Sequence, residues 1–163
     1  MGYTTEFEGS IQIEPPLNAQ EISFLRDFNH TRRMNRTRGP LFVRGSGFYG
    51  QGDDPDIINH NQPHPDQPGL WCQWTPNEDG TAIEWDGGEK FYSAPEWMMY
   101  IISFLLSPIA RPYIDAHLDE DPRLASFTCD HVLNGVIFAQ GEDDEDQWEL
   151  RVISSLVFVS NLT

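Results

Sequence analysis

The ten residues from Trp97 to Leu106 carry no charge and only two hydroxyls. Such a run is too apolar to leave in water and too short to cross a bilayer, which needs about 20 residues. It must therefore lie inside a folded core. Trp97, Met98, Ile101, Ile102, Leu105 and Leu106 recur at helical spacing, and Tyr100 and Phe104 make the remaining sides apolar as well. The spacing predicts a central helix, opened by Ser93 and Glu96 as a capping pair with Pro95 in the first turn and stopped by Pro108 and Pro112. The rest of the 163 residues has to wrap this segment, and a chain of that length is normally one domain able to bury its own core.

Most of what wraps it reads as strand. Residues 3–13 alternate apolar and polar, which predicts a half-buried strand or a hairpin turning at Gly9-Ser10. Asn18 and Glu21 form a capping-box pair, and Ile22, Leu25 and Phe28 follow at helical spacing, predicting a helix that ends by Gly39-Pro40. Leu41 to Val43 reads as a short strand. Residues 45–69 are rich in Gly, Pro, Asp, Asn and His and read as one long loop. Leu70 to Thr75, Thr81 to Trp85, Gly135 to Gln140, Trp148 to Ile153 and Leu156 to Val159 complete the strands, the last three as an antiparallel meander. The order predicts a single α+β domain over 1–163, with an antiparallel sheet and two main helices; a ferredoxin-like split βαβ with additions is the expected arrangement.

The charge is divided. Arg26, Arg32, Arg33, Arg36, Arg38 and Arg44 stand against Asp27 alone within 26–44, a balance of +5, whereas the rest carries −21 from four basic and 25 acidic residues. Such a dipolar field steers protein partners, and the acidic body would repel a nucleic acid approaching Arg32 to Arg38. No export signal or membrane span is legible, so a cytoplasmic location is expected, with Cys72 and Cys129 as buried reduced thiols.

Chemical motifs are thin. Gly45-Ser46-Gly47-Phe48-Tyr49-Gly50 matches a dinucleotide fingerprint in letters, but Gly52, Pro55 and Pro63 leave no helix behind it to hold a phosphate. His60 and His64 make one histidine pair where a structural zinc site needs two paired elements. Asp53, Asp54 and Asp56 lack the ligand ladder of a calcium loop. Glu84, Asp86 and Glu89 beside Lys90 could serve a small metal-dependent hydrolase if they converged on one cleft. The aromatic group Trp71, Trp74, Trp85, Phe91, Tyr92, Trp97 and Tyr100 reads as core.

The string WCQWTPNEDGTAIEWDGGEKFY (71–92), the run from Glu96 to Ile102 and HVLNGVIFAQGEDDEDQWEL (131–150) resemble a group of small hypothetical proteins of bacteriophages, prophages and actinobacteria. The resemblance covers about half the chain and implies a cytosolic bacterial or phage protein; it brings no catalytic residue with it.

The expected function is therefore that of a non-enzymatic acidic interaction protein engaging a host or phage protein, in its sharper form a DNA mimic or counter-defence factor. The candidate partner-binding residues are Arg32, Arg33, Arg36 and Arg38 at one pole, with Asp143, Asp144, Glu145 and Asp146 in the acidic loop at the other. No catalytic residue, metal or cofactor is assigned, no membrane partner is expected, and homo-oligomerisation stays open. The alternatives are the hydrolase built on Glu84, Asp86 and Glu89, and direct nucleic-acid binding through the arginines at 32–38.

Overall fold

The structure, a computed structural model, describes residues 2–162. It is an α+β domain built on a six-stranded antiparallel sheet with a small two-stranded sheet beside it. The elements are β1 (Glu6–Glu14), α1 (Ala19–Asn29), β2 (Met34–Arg36), β3 (Ile57–Pro63), β4 (Trp74–Pro76), β5 (Ala82–Trp85), α2 (Ala94–Tyr100), α3 (Arg111–Ala116), β6 (Val132–Gln140), β7 (Gln147–Ile153) and β8 (Leu156–Asn161). The main sheet runs β4-β5-β1-β6-β7-β8, and β2 pairs with β3. The split βαβ is not adopted: it needs parallel strands joined by a helical crossover, whereas β1 lies antiparallel to both its neighbours, β5 and β6.

The period-two pattern explains the sheet. Phe7, Ile11 and Ile13 of β1, Leu133 and Ile137 of β6, and Leu150 and Val152 of β7 all face one buried side. Glu6, Glu8, Gln12 and Glu14 alternate to the other, exposed side. The strand continues through Gly9 without turning. Gly9 has φ +112, and a Cβ there would meet the Val136 carbonyl at 2.6 Å, so glycine permits the close approach of β1 and β6.

The predicted central helix is present and buried. α2 passes into a π-helical turn over Ile101–Leu106, with Trp97, Met98, Leu105 and Leu106 sealed from water. Ser93 does not cap it, since its backbone is left-handed and its side chain makes no cap bond. Asn18, by contrast, caps α1 as expected, with the reciprocal bonds to Glu21 both at 2.9 Å. That helix stops at Asn29, well short of Gly39, because the arginines after it are drawn into the β2–β3 region.

Two further expectations fail for one reason. Leu41 to Val43 is not a strand, and 45–69 is not a single loop: it contains a 3-10 turn over Phe48–Gly50 and the strand β3. This segment is gathered around the Arg36 guanidinium, a long-range polar contact that leaves no hydrophobic period in the sequence. β3 shows little burial, so it has no alternation to read.

Candidate interaction surface

The arginine cluster does not form one face. Arg33 is buried, and its guanidinium donates to the carbonyls of Thr31 (3.2 Å), Pro40 (3.0 Å) and Phe42 (2.7 Å) while lying 4.6 Å over the Phe28 ring. Burial pulls its pKa down to about 10, which leaves it charged at neutral pH. Arg36 is also buried, donating to Asp54 (3.1 Å), Asp56 (3.0 Å) and the Gly50 carbonyl (2.6 Å). Asp54 is held down to about 2, first by hydrogen bonds from the Ser46 hydroxyl and backbone N–H and then by Arg36. Arg32 donates to the His60 carbonyl at 3.2 Å, and Arg38 stands exposed over Phe42. Of the four arginines expected to dock a partner, Arg33 and Arg36 are thus consumed inside the molecule, and only Arg32 and Arg38 remain near the surface.

The same network answers the acidic motif and the glycine motif. Asp54 and Asp56 accept from the Arg36 guanidinium, and Gly45 to Gly50 folds as a turn closed by Ser46 on Asp54. Its last glycine supplies the carbonyl that Arg36 holds.

The acidic loop after β6 is attached to the chain's beginning. Tyr3 donates to Asp146 at 2.7 Å, and the Thr4 N–H donates to Glu142 at 2.6 Å. Asp143, Asp144 and Glu145 face water at the tip, and Glu6 and Glu8 stand nearby on β1, because Glu6 is in register with Gln140. One acidic end results, with Asp146 serving to hold it together.

Glu84, Asp86 and Glu89 do not converge. Glu84 is exposed on β5, Asp86 accepts from the Gly88 N–H of its own turn at 2.8 Å, and Glu89 stands at the rim of an open cleft of ≈ 690 Å³ also lined by Trp71, Gln73 and Tyr92. Among the described residues no group of three His, Cys, Asp or Glu side chains lies close enough to hold a metal ion. His60 and His64 pair instead with Asp53 and Asp66, and Cys72 and Cys129 are free and buried. Of the aromatic group, Trp74, Phe91, Trp97 and Tyr100 are core, whereas Tyr92 is exposed.

What sequence reasoning missed lies at the far end of the sheet. β8 is a terminal strand, and Leu156, Phe158 and Val159 are 64%, 48% and 53% exposed. From Val152 to Leu162 there is no charge and no proline, in a chain of net charge −16. Its pairing to β7 fixes which backbone groups are open. The Ser154-Ser155 turn, with φ of 46 and 68, closes a two-residue hairpin in which Ile153 faces Leu156. Leu156, Phe158 and Ser160 therefore direct their backbone N–H and C=O inward to β7, and the Leu162 N–H donates to the Gln147 carbonyl in the same phase. Val157 and Val159 direct theirs outward from the sheet. Phe138, Ile153, Leu156 and Phe158 also share the uncovered face, around the Arg151–Glu149 pair at 3.3 Å. The absence of charge over 152–162 was the readable sign, but it looks the same for a buried strand.

No protein-family model, curated protein or solved structure matches this chain. Among the described residues no helix is long and apolar enough to cross a membrane.

Proposed function

We propose that this chain is a non-enzymatic interaction protein whose docking surface is the β8 edge and the uncovered face beside it. The observation that carries the reading is the edge over Leu156 to Ser160: these residues, without charge or proline, present outward backbone groups at Val157 and Val159. Natural sheets blunt such edges with charges, proline or short length, because an open ladder accepts another strand. The acidic end at Glu6, Glu8 and 143–145 adds selection by charge, attracting basic partners and repelling acidic ones. In the phage or prophage setting that the likeness of 71–92 implies, the partner is a host or phage protein in the bacterial cytoplasm.

The test is binary binding. Proteins captured from bacterial lysate are identified by mass spectrometry, purified and titrated against the chain and two variants. Val159→Pro, which removes an outward N–H without touching the β7 ladder, is expected to weaken binding at least about tenfold, the equivalent of one good hydrogen-bonded contact or more. Arg38→Glu is expected to change it little. Full binding by Val159→Pro with loss in Arg38→Glu would return the docking role to the arginines.

A narrower version concerns the acidic end, which would occupy a nucleic-acid-binding site by mimicking DNA. It predicts competition with duplex DNA for a basic DNA-binding partner, strongest at low salt. Absence of competition at low salt removes it.

A further inference from the structure

We infer that the strand received at the β8 edge is β8 of a second copy, antiparallel about a two-fold axis that passes through Phe158. This rests on the edge being the docking surface and names its occupant. Three observations favour a second copy. The outward backbone groups belong to the odd residues Val157 and Val159, so a partner must bring its own odd residues opposite them in hydrogen-bonded pairs. Centring on Phe158 does this over residues 156–160: Val157 meets the second copy's Val159, Leu156 meets its Ser160, and Phe158 meets its counterpart in a non-hydrogen-bonded pair. Side chains also stay on matching faces, with the phenyl rings meeting on the uncovered side and the valines on the helix side.

Charge decides the third point. Two bodies of −16 repel each other unless their contact keeps like charges apart. In this register the nearest charged row is Arg151, opposite Phe158 on β7. The two Arg151 side chains are then three strand spacings apart, about 14 Å at the usual spacing, beyond a Debye length of about 8 Å at physiological salt. The acidic loop joins β6 to β7 and reaches β8 only at the strand's far end, where the Leu162 N–H meets the Gln147 carbonyl and Asp146 shares a hollow with Val159 and Asn161. The two-fold sets that end of one copy against the opposite end of the other, and the Glu-bearing face of β1 lies across β6 and β7. The uncharged edge is where two copies of an acidic molecule can meet, and the product is one twelve-stranded sheet with an acidic end on each side.

Sedimentation equilibrium on the full chain, at concentrations up to about 100 µM, is expected to show twice the 18.7 kDa monomer mass. Val159→Lys and Val159→Pro, each checked for native circular dichroism, are expected to sediment as monomers. Register is read independently by oxidation of single-cysteine variants, the native thiols being buried. In the proposed pair the two Cα atoms of residue 158 lie about 4.5 Å apart, within disulfide reach, so Phe158→Cys should cross-link. Those of residue 159 are offset by two residues, about 8–9 Å, so Val159→Cys should not. A monomeric wild-type chain whose binding to a captured protein still depends on Val159 overturns the second copy and leaves the docking surface standing. A dimer that survives both Val159 variants, or equal cross-linking at 158 and 159, overturns the inference too. Loss of both the dimer and any dependence on Val159 removes the docking surface with it.

Discussion

The sheet ends in two strands that treat their open edges in opposite ways. β4 has three residues, finishes at Pro76 and buries Trp74 completely. Its neighbouring carbonyls are met from outside: the Asn29 side chain at the end of α1 donates to the carbonyls of Cys72 (2.7 Å) and Trp74 (3.4 Å), and the Arg33 N–H donates to that of Leu70 (2.7 Å). β8 is twice as long, contains no proline, and is exposed at every residue but the half-buried Val157, although α2 packs beside it on the helix side. One terminus of the sheet is built into the core, and the other is left able to pair. The same physical hazard, an unpaired ladder, is removed at one end and retained at the other, which is what a docking strand requires.

The sharpest way to break the contrast is truncation at both ends. Trp74→Ala deletes a side chain that packs edge-on against Phe7 at 5.2 Å and Phe91 at 5.0 Å, and donates from Nε1 to the Ala94 carbonyl at 2.8 Å. It is expected to lower unfolding free energy by about 3–5 kcal/mol in urea titration. Phe158→Ala, measured on dilute protein, should stay within about 0.5 kcal/mol of wild type. Comparable losses would mean that β8 is as much a part of the folding unit as β4.

A smaller effect should come from the cover itself. Asn29→Ala removes the donor of the Cys72 carbonyl and leaves the Trp74 carbonyl only the weak Cys72 thiol at 3.8 Å, and is expected to cost about 1–3 kcal/mol. If urea midpoints did not move, the carbonyls of Cys72 and Trp74 would need no cap, and the difference between the edges would rest on length and Pro76 alone.

The anchoring of α1 gives a pH version of the same comparison. Glu21 accepts from the Asn18 N–H through one oxygen and pairs with His131 Nε2 at 2.9 Å through the other, while His131 Nδ1 donates to the Pro15 carbonyl at 2.6 Å. Acceptors at both ring nitrogens favour the doubly protonated ring. Burial opposes that charge, but the bonds to Glu21 and Pro15, with Asp130 at 3.7 Å, outweigh it and hold the His131 pKa above its ordinary value. A raised folded pKa means that the contribution is complete below the unfolded value, about 6.5, and is lost as pH rises through the folded one. Stability should therefore begin to decline as pH rises past about 6.5, and His131→Gln should flatten that decline. Edge association through β8, which holds no titratable group, should keep its affinity over the same range; a parallel loss would tie the two ends together.

Much of this was legible in advance, and the failures share a cause. The central helix, the capping box at Asn18 and Glu21, and the β6–β8 meander all follow from local periodicity or short-range hydrogen bonding, which neighbouring residues settle. Glu21 was visible as a cap; its second oxygen was not, because His131 lies 110 positions away. Arg33 and Arg36 looked like surface charge since arginine usually is, yet each finds enough carbonyls or carboxylates to be buried. The long-loop reading of 45–69 failed with them, because β3 is organised by polar contacts that carry no apolar pattern.

Sequence alone determined that this is one α+β domain wrapped around an apolar helix, since alternation and helical spacing are properties of adjacent residues. It determined also that the chain is strongly acidic with a lone basic stretch. Only the tertiary structure decided which charges reach the surface and which strand ends the sheet uncovered. Both depend on contacts between distant segments, where burial of a guanidinium or exposure of an edge follows from what the rest of the chain happens to bring alongside.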